Sequence, residues 1–194
     1  MSDVVPLRAR PTHVDRTARI GMIVFVAGWT MMFGALLVAY LLLRQGAPRW
    51  PPAGLPPLER SLPQVATGVL VASSVTLQLG LHAIRQARPV ALRGYLVAAM
   101  LLAIAFLALQ AASWVHMAHR GLDPTASLYA AGFFGLTSFH ALHVAGGLVG
   151  LATLLPRALR GAFSAREHTA VRSWTLYWHF VGVVWIAFFA SVYR

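Results

Sequence analysis

The order of apolar and polar residues divides the chain before any other property is considered. Five long apolar runs, bounded by arginine or proline, cover about 20–43, 64–84, 94–117, 128–155 and 173–193. A hydrocarbon core about 30 Å thick takes roughly 20 helical residues at about 1.5 Å rise each, so every run is long enough to cross it. The pattern predicts an all-α integral membrane bundle of five transmembrane helices, with residues 1–19 as a tail and 20–194 as a single domain. The connections are short except over 45–63, where Pro48, Pro51, Pro52, Pro56, Pro57 and Pro63 exclude a regular helix and predict an ordered cap across the bundle surface. No small-residue cleavage site precedes the first run, which is too long for a signal-peptide core, so it is expected to be retained.

Composition agrees with the membrane reading: 58% of the residues are hydrophobic, 11% are charged, and the mean hydropathy is +0.67. All 16 positive charges are arginines, set against five acids for a net charge of +11. They stand singly or in pairs beside apolar runs and form no stripe, which points to anionic phospholipid as partner rather than nucleic acid. Eleven arginines fall in the N-terminal tail and the second and fourth connections, and five on the other side. By the positive-inside rule the N-terminus is cytoplasmic and the C-terminus periplasmic, in a multi-pass protein of a bacterial inner membrane.

The acids Asp3, Asp15, Glu59, Asp123 and Glu167 all lie outside the apolar runs. Proton-coupled transporters commonly carry intramembrane carboxylates, so that class is disfavoured. With no cysteine, thiolate chemistry is excluded and histidine becomes the one candidate ligand for a metal or haem. Counting inward from Leu128 at about 1.5 Å per residue puts His140 and His143 roughly 18 and 22 Å deep, while His179 lies about 9 Å from the opposite end of its run. His143 and His179 thus share a depth, which a bis-histidine haem would need, although the neighbouring Trp174, Tyr177, Trp178 and Trp185 leave little room for a ring. Imidazoles hydrogen-bonded within the bundle are the simpler expectation. In the second run Thr67, Ser74, Gln78 and His82 recur at helical spacing and predict a face bonded to another helix. Gly146 and Gly150 make a G-x-x-x-G spacing in the fourth run, with Gly132, Gly135 and Gly147 nearby, and predict close helix approach.

Taken in order, these residues resemble a known family. T-S-F-H-A-L-H-V-A-G-G over 137–147 resembles the T-G-F-H-G-L-H-V-x-x-G signature of subunit III of haem-copper oxidases. W-T-L-Y-W-H-F-V-G-V-V-W over 174–185 is similar to that subunit's closing A-W-Y-W-H-F-V-D-V-V-W. R-I-G-M-I-V-F over 19–25, W-P-P over 50–52 with Gly54, Leu62 and Pro63, S-S-V-T over 73–76 with His82, and L-Q-A over 109–111 extend the likeness to about 19–193. The resemblance corresponds to the last five helices of the seven-helix form. It implies an accessory subunit with no catalytic residue and no cofactor of its own, haem and copper being carried by partner subunits. Such a subunit packs on subunit I, holds phospholipid and sustains turnover in aerobic respiration. It further implies lipid contact for Arg157 and Arg160, and packed roles within the bundle for His140, His143, His179, Gln78, His82 and Gln110.

Four acids of the family pattern are replaced here by Trp29, Ser113, Arg172 and Gly182. These losses leave two alternatives open: a related subunit associated with nitric oxide reductases, and a small b-haem electron-transfer protein built on His143 and His179.

Overall fold

The computed structural model describes residues 13–193 and consists of five helices: α1 His13–Gly46, α2 Ser61–Arg85, α3 Pro89–His119, α4 Leu128–Leu159 and α5 Thr169–Val192. All five are long and apolar enough to cross a membrane. α2, α3, α4 and α5 form a ring in which each helix packs on the next and α5 closes on α2, while α1 lies outside the ring against α5 and α4. Only 6% of the apolar stretch of α1 is buried, against 33% to 50% for the other four.

The helices run past most of the expected ends because those ends were drawn at prolines and charges. Pro63 sits in the first turn of α2 and Pro89 begins α3, where the backbone N–H groups have no acceptor in the preceding turn and proline costs nothing. α4 carries on through Pro156 to Leu159, four residues beyond the expected stop at 155. α1 already begins at His13, so residues 13–19 of the expected tail are helical, and residues 1–12 of that tail lie outside the described residues. Asp15 belongs to these early turns, ahead of the apolar stretch that starts at Ile20.

Three helices stop in the same manner. After α3 and α4 the chain turns through Gly121 (φ +87°) and Gly161 (φ +73°), and the next amides, Leu122 and Ala162, bond back to the carbonyls of Met117 and Arg157 at 3.1 and 3.0 Å. The left-handed residue lets otherwise orphaned carbonyls find donors. After α2 the same geometry is imposed on Ala87 (φ 58°), with Arg88 N–H on the Ala83 carbonyl at 3.0 Å. Alanine pays about 1 kcal/mol there that glycine would not.

Two apolar cores fill the bundle. One joins α2, α3, α4 and α5 around Leu77, Leu96, Phe106, Leu151 and Trp178. The other lies toward the opposite end, where Phe33 and Tyr40 of α1 meet Phe133, Phe188 and Tyr193. Residues 47–60 close that end as an irregular cap, as the prolines predicted: Trp50 packs edge-on against Tyr40 and Tyr129, with ring centroids 5.7 and 5.1 Å away. The Tyr129 hydroxyl donates to the Pro56 carbonyl, and Arg44 donates to the carbonyl of Ser191 at 2.8 Å. Glu59 pairs with His116 at the end of α3 and accepts from the Ser61 hydroxyl, and chiefly the Ser61 bond holds its carboxyl below the usual carboxylate range.

Candidate functional site

Three side-chain hydrogen bonds join α2 to α5. Trp185 donates its indole N–H to Thr67 Oγ1 at 2.8 Å, and Trp178 donates to Ser73 Oγ at 3.1 Å. Ser73 in turn donates to the Ala99 carbonyl of α3 at 2.9 Å, so one hydroxyl ties three helices together. Nearer the α1 N-terminal end, His179 Nε2 and Gln78 Oε1 meet at 3.1 Å. Inside lipid a polar group without a partner is costly, so these rungs fix the rotation of α5 against α2.

The four residues that helical spacing in α2 sets on one face have different surroundings. Thr67 and Gln78 bond to α5, whereas the Ser74 hydroxyl is buried against Gly182 with no hydrogen-bond partner among the described residues. His82 is exposed and bonds to Gln86 within its own helix at 2.9 Å, so it takes no part in the seam. Ser73, which the spacing passed over, is the central rung. The signal available in the sequence was the serine pair at 73 and 74, of which only one can face a given neighbour.

The histidines of α4 occupy another space. His140 is fully buried, its ring 5.1 Å from that of Trp185 and 5.9 Å from that of Phe106, and neither ring nitrogen has a partner among the described residues. His143 Nδ1 bonds to the Phe139 carbonyl one turn back at 2.7 Å. Its ring stands edge-on to Trp29 and Phe33 of α1, 4.1 and 4.8 Å between centroids. Tyr177 of α5 donates to the His143 carbonyl at 3.0 Å. The equal depth of His143 and His179 does not bring them together: His143 faces α1, while His179 faces α2. The two imidazoles do not converge on one iron position, and the b-haem alternative loses its geometric basis. Gln110 is buried in α3 with neither amide atom bonded among the described residues.

Close approach of α4 and α5 depends on Gly147 and Gly150. A Cβ on Gly147 would lie 2.7 Å from the Trp178 ring, and one on Gly150 2.2 Å from that of Trp174. Gly146 has nothing within 4 Å, which corrects the expected G-x-x-x-G pair to a G-x-x-G pair one residue on. At the far end of α4, Arg157 lies in the last turn with its guanidinium 5.0 Å from the Phe163 ring centre, and Arg160 is the exposed C-cap. Arg93 of α3 donates to the Ala158 carbonyl at 3.1 Å and anchors that turn.

Long apolar helices whose inward polar groups bond helix to helix define a multi-pass membrane bundle, and among the described residues no group of three His, Asp or Glu could hold a metal ion. Residues 7–194 match the family cytochrome c oxidase subunit III. The chain is 38% identical to cytochrome c oxidase subunit 3 of Synechocystis over 194 residues, 99% of this chain and 82% of that one. It is 35% identical to the probable subunit 3 of Nocardia farcinica over 185 residues and 36% identical to that of Mycobacterium tuberculosis over 187 residues. Each of those alignments covers 95% of this chain and 89% of the relative. The chain belongs to the cytochrome c oxidase subunit III family, a membrane component of a respiratory terminal oxidase. Members of that family carry no redox cofactor of their own.

Proposed function

We propose that this chain is the accessory, non-redox subunit III of a bacterial haem-copper oxidase, packing on subunit I, holding phospholipid and sustaining activity over many turnovers. The observation that carries the reading is the state of α1. Its exposed side chains include Ile20, Ile23, Val24, Phe25, Met31, Val38 and Leu42, and of the other four helices it packs on α5 and α4 alone among the described residues. A face of that extent supports a neighbouring helix bundle as well as lipid, and the four-helix ring beside it supports a scaffold role. The arginine distribution supports a cytoplasmic N-terminus, and an active periplasmic phosphatase fused after residue 194 is the expected outcome; a silent fusion would reverse the orientation.

Deleting the chain tests the accessory role. Initial oxygen reduction should stay near the complete enzyme's rate while activity decays faster during turnover. Immediate loss of catalysis in a remaining complex that still holds all its haem and copper would mean that this chain takes part in the chemistry. Arg157 and Arg160 belong to the same reading as contacts for a lipid phosphate, each contributing about 1 kcal/mol toward an anionic surface. Native mass spectrometry of the Arg157→Ala, Arg160→Ala double variant should show one lipid fewer, and an unchanged lipid count would leave them only a topogenic role.

A further inference from the structure

We propose that the groove between α2 and α5 binds one anionic phospholipid, at a site separate from the Arg157–Arg160 end of α4. Where α1 begins, a cavity of about 550 Å3 opens between α1, α2 and α5. Arg16, Arg85 and Arg172 line it, one from each helix, and all three are exposed. No acidic side chain is among the described residues of its wall. A guanidinium presents several N–H donors in a planar fork suited to phosphate oxygens, so three of them around one opening attract a phosphate-bearing group.

The apolar continuation distinguishes a lipid from a free phosphate. A second cavity of about 560 Å3 runs on along α2 and α5, and the two meet at the Gln78–His179 pair. Its walls include the exposed Val75, Val183 and Ile186, and at Gly182 it has no side chain at all. A Cβ there would come within 3.3 Å of the Ser74 hydroxyl. From Arg172 to Ile186 the helix advances about 21 Å, enough to take a headgroup and an acyl chain through one leaflet of about 15 Å. A carboxylate in place of Arg172 would repel a phosphate, and one in place of Gly182 would set a charge along the acyl path. The site does not depend on the oxidase assignment, because every group in it belongs to this chain.

The test uses the full chain reconstituted in vesicles of phosphatidylcholine and phosphatidylglycerol, extracted in mild detergent and weighed by native mass spectrometry. Arg172→Glu should lower phosphatidylglycerol retention about thirtyfold, and Arg172→Gln about fivefold, taking about fivefold per juxtamembrane charge. Arg172 is exposed helix surface, and unchanged helical circular dichroism shows that the variants are folded. Gly182→Leu keeps the arginines but fills the groove, and should also lower retention. Arg120→Gln, at the other membrane face, should retain the lipid. Equal retention by the native chain and both Arg172 variants would overturn the proposal. So would displacement by inorganic phosphate together with full retention by Gly182→Leu, which would identify a free-phosphate site. Loss of lipid in the Arg157, Arg160 variant removes a different molecule, so each site is read separately.

Discussion

Replacing Gly147 by alanine should destabilise the bundle by about 2–4 kcal/mol, although it adds one methyl group to a helix. The new Cβ would stand 2.7 and 2.9 Å from two ring atoms of Trp178 and 3.0 Å from the Tyr177 ring. Trp178 has no exposed surface, and its indole N–H is held by Ser73. The ring cannot step aside without leaving that bond, so the overpacking cost of about 1–3 kcal/mol adds to about 1 kcal/mol for the lost hydrogen bond. Distance alone would make Gly150 the worse site, since its Cβ would lie 2.2 Å from Trp174. Trp174 is only half-buried and its outer ring edge can swing away, so Gly150→Ala should cost about 1 kcal/mol. Gly146→Ala meets nothing and should stay within about 0.5 kcal/mol of the native chain. Reversible unfolding by titrating sodium dodecyl sulfate into mild detergent, followed by helical circular dichroism, gives all three values. A double-mutant cycle with Ser73→Ala should show the two changes to be less than additive, because both break one bond. The reasoning is refuted if Gly147→Ala is as mild as Gly146→Ala, or if Gly150→Ala proves the most damaging of the three.

Two further outcomes follow from the helix ends and the cap. Ala87→Gly should raise stability in the same titration by about 1 kcal/mol, because it relieves a left-handed alanine at a turn that Gly121 and Gly161 make without strain; no gain would mean that the φ of 58° is unstrained. The Glu59 carboxyl, lowered mainly by the Ser61 hydroxyl, contributes stability that is present above the unfolded carboxylate value of about 4.3 and is lost as pH falls through its lower folded value. Hydrogen-exchange protection over residues 47–60, corrected for the pH dependence of intrinsic exchange, should therefore fall on acidification through that range in the native chain and be insensitive to it in Glu59→Gln.

How far the sequence discloses this structure depends on the length scale. The five crossings are legible because lipid demands an uninterrupted apolar run of near-constant length. Their ends are not, since Pro63 and Pro89 sit in first turns where proline is tolerated, and α1 and α4 continue past the apolar region. Interior contacts need a second coordinate. Residue spacing gives an expected depth along a helix, which sets His143 and His179 at one level, but it does not report which way two separate helices turn relative to each other. The same deficit explains why Gly147 and not Gly146 meets α5, and why Ser73 and not Ser74 meets Trp178. A single residue step rotates the side chain by about 100°, and only the partner helix decides which of two adjacent residues it contacts.

The four replaced acids fall into two groups by position. Trp29 covers the His143 ring, and Ser113 lies with Gln110 beside the buried Tyr193 hydroxyl, so these two losses exchange charge for packing inside the bundle. Arg172 and Gly182 instead border the α2–α5 groove, one supplying a positive charge and the other an open wall. Burying an unpaired carboxylate in hydrocarbon is costly, and without one the α2–α5 seam is held by indole and hydroxyl hydrogen bonds together with the His179–Gln78 pair. Of the five acids in the chain, Glu59, Asp123 and Glu167 lie in connections and Asp3 and Asp15 precede the apolar stretch of α1. No carboxylate within the crossings can relay a proton. On the proposed function, a contribution of this chain to sustained turnover would act through packing on its partner and through lipid, and a proton-antenna role would have to rest on acids at the membrane surface.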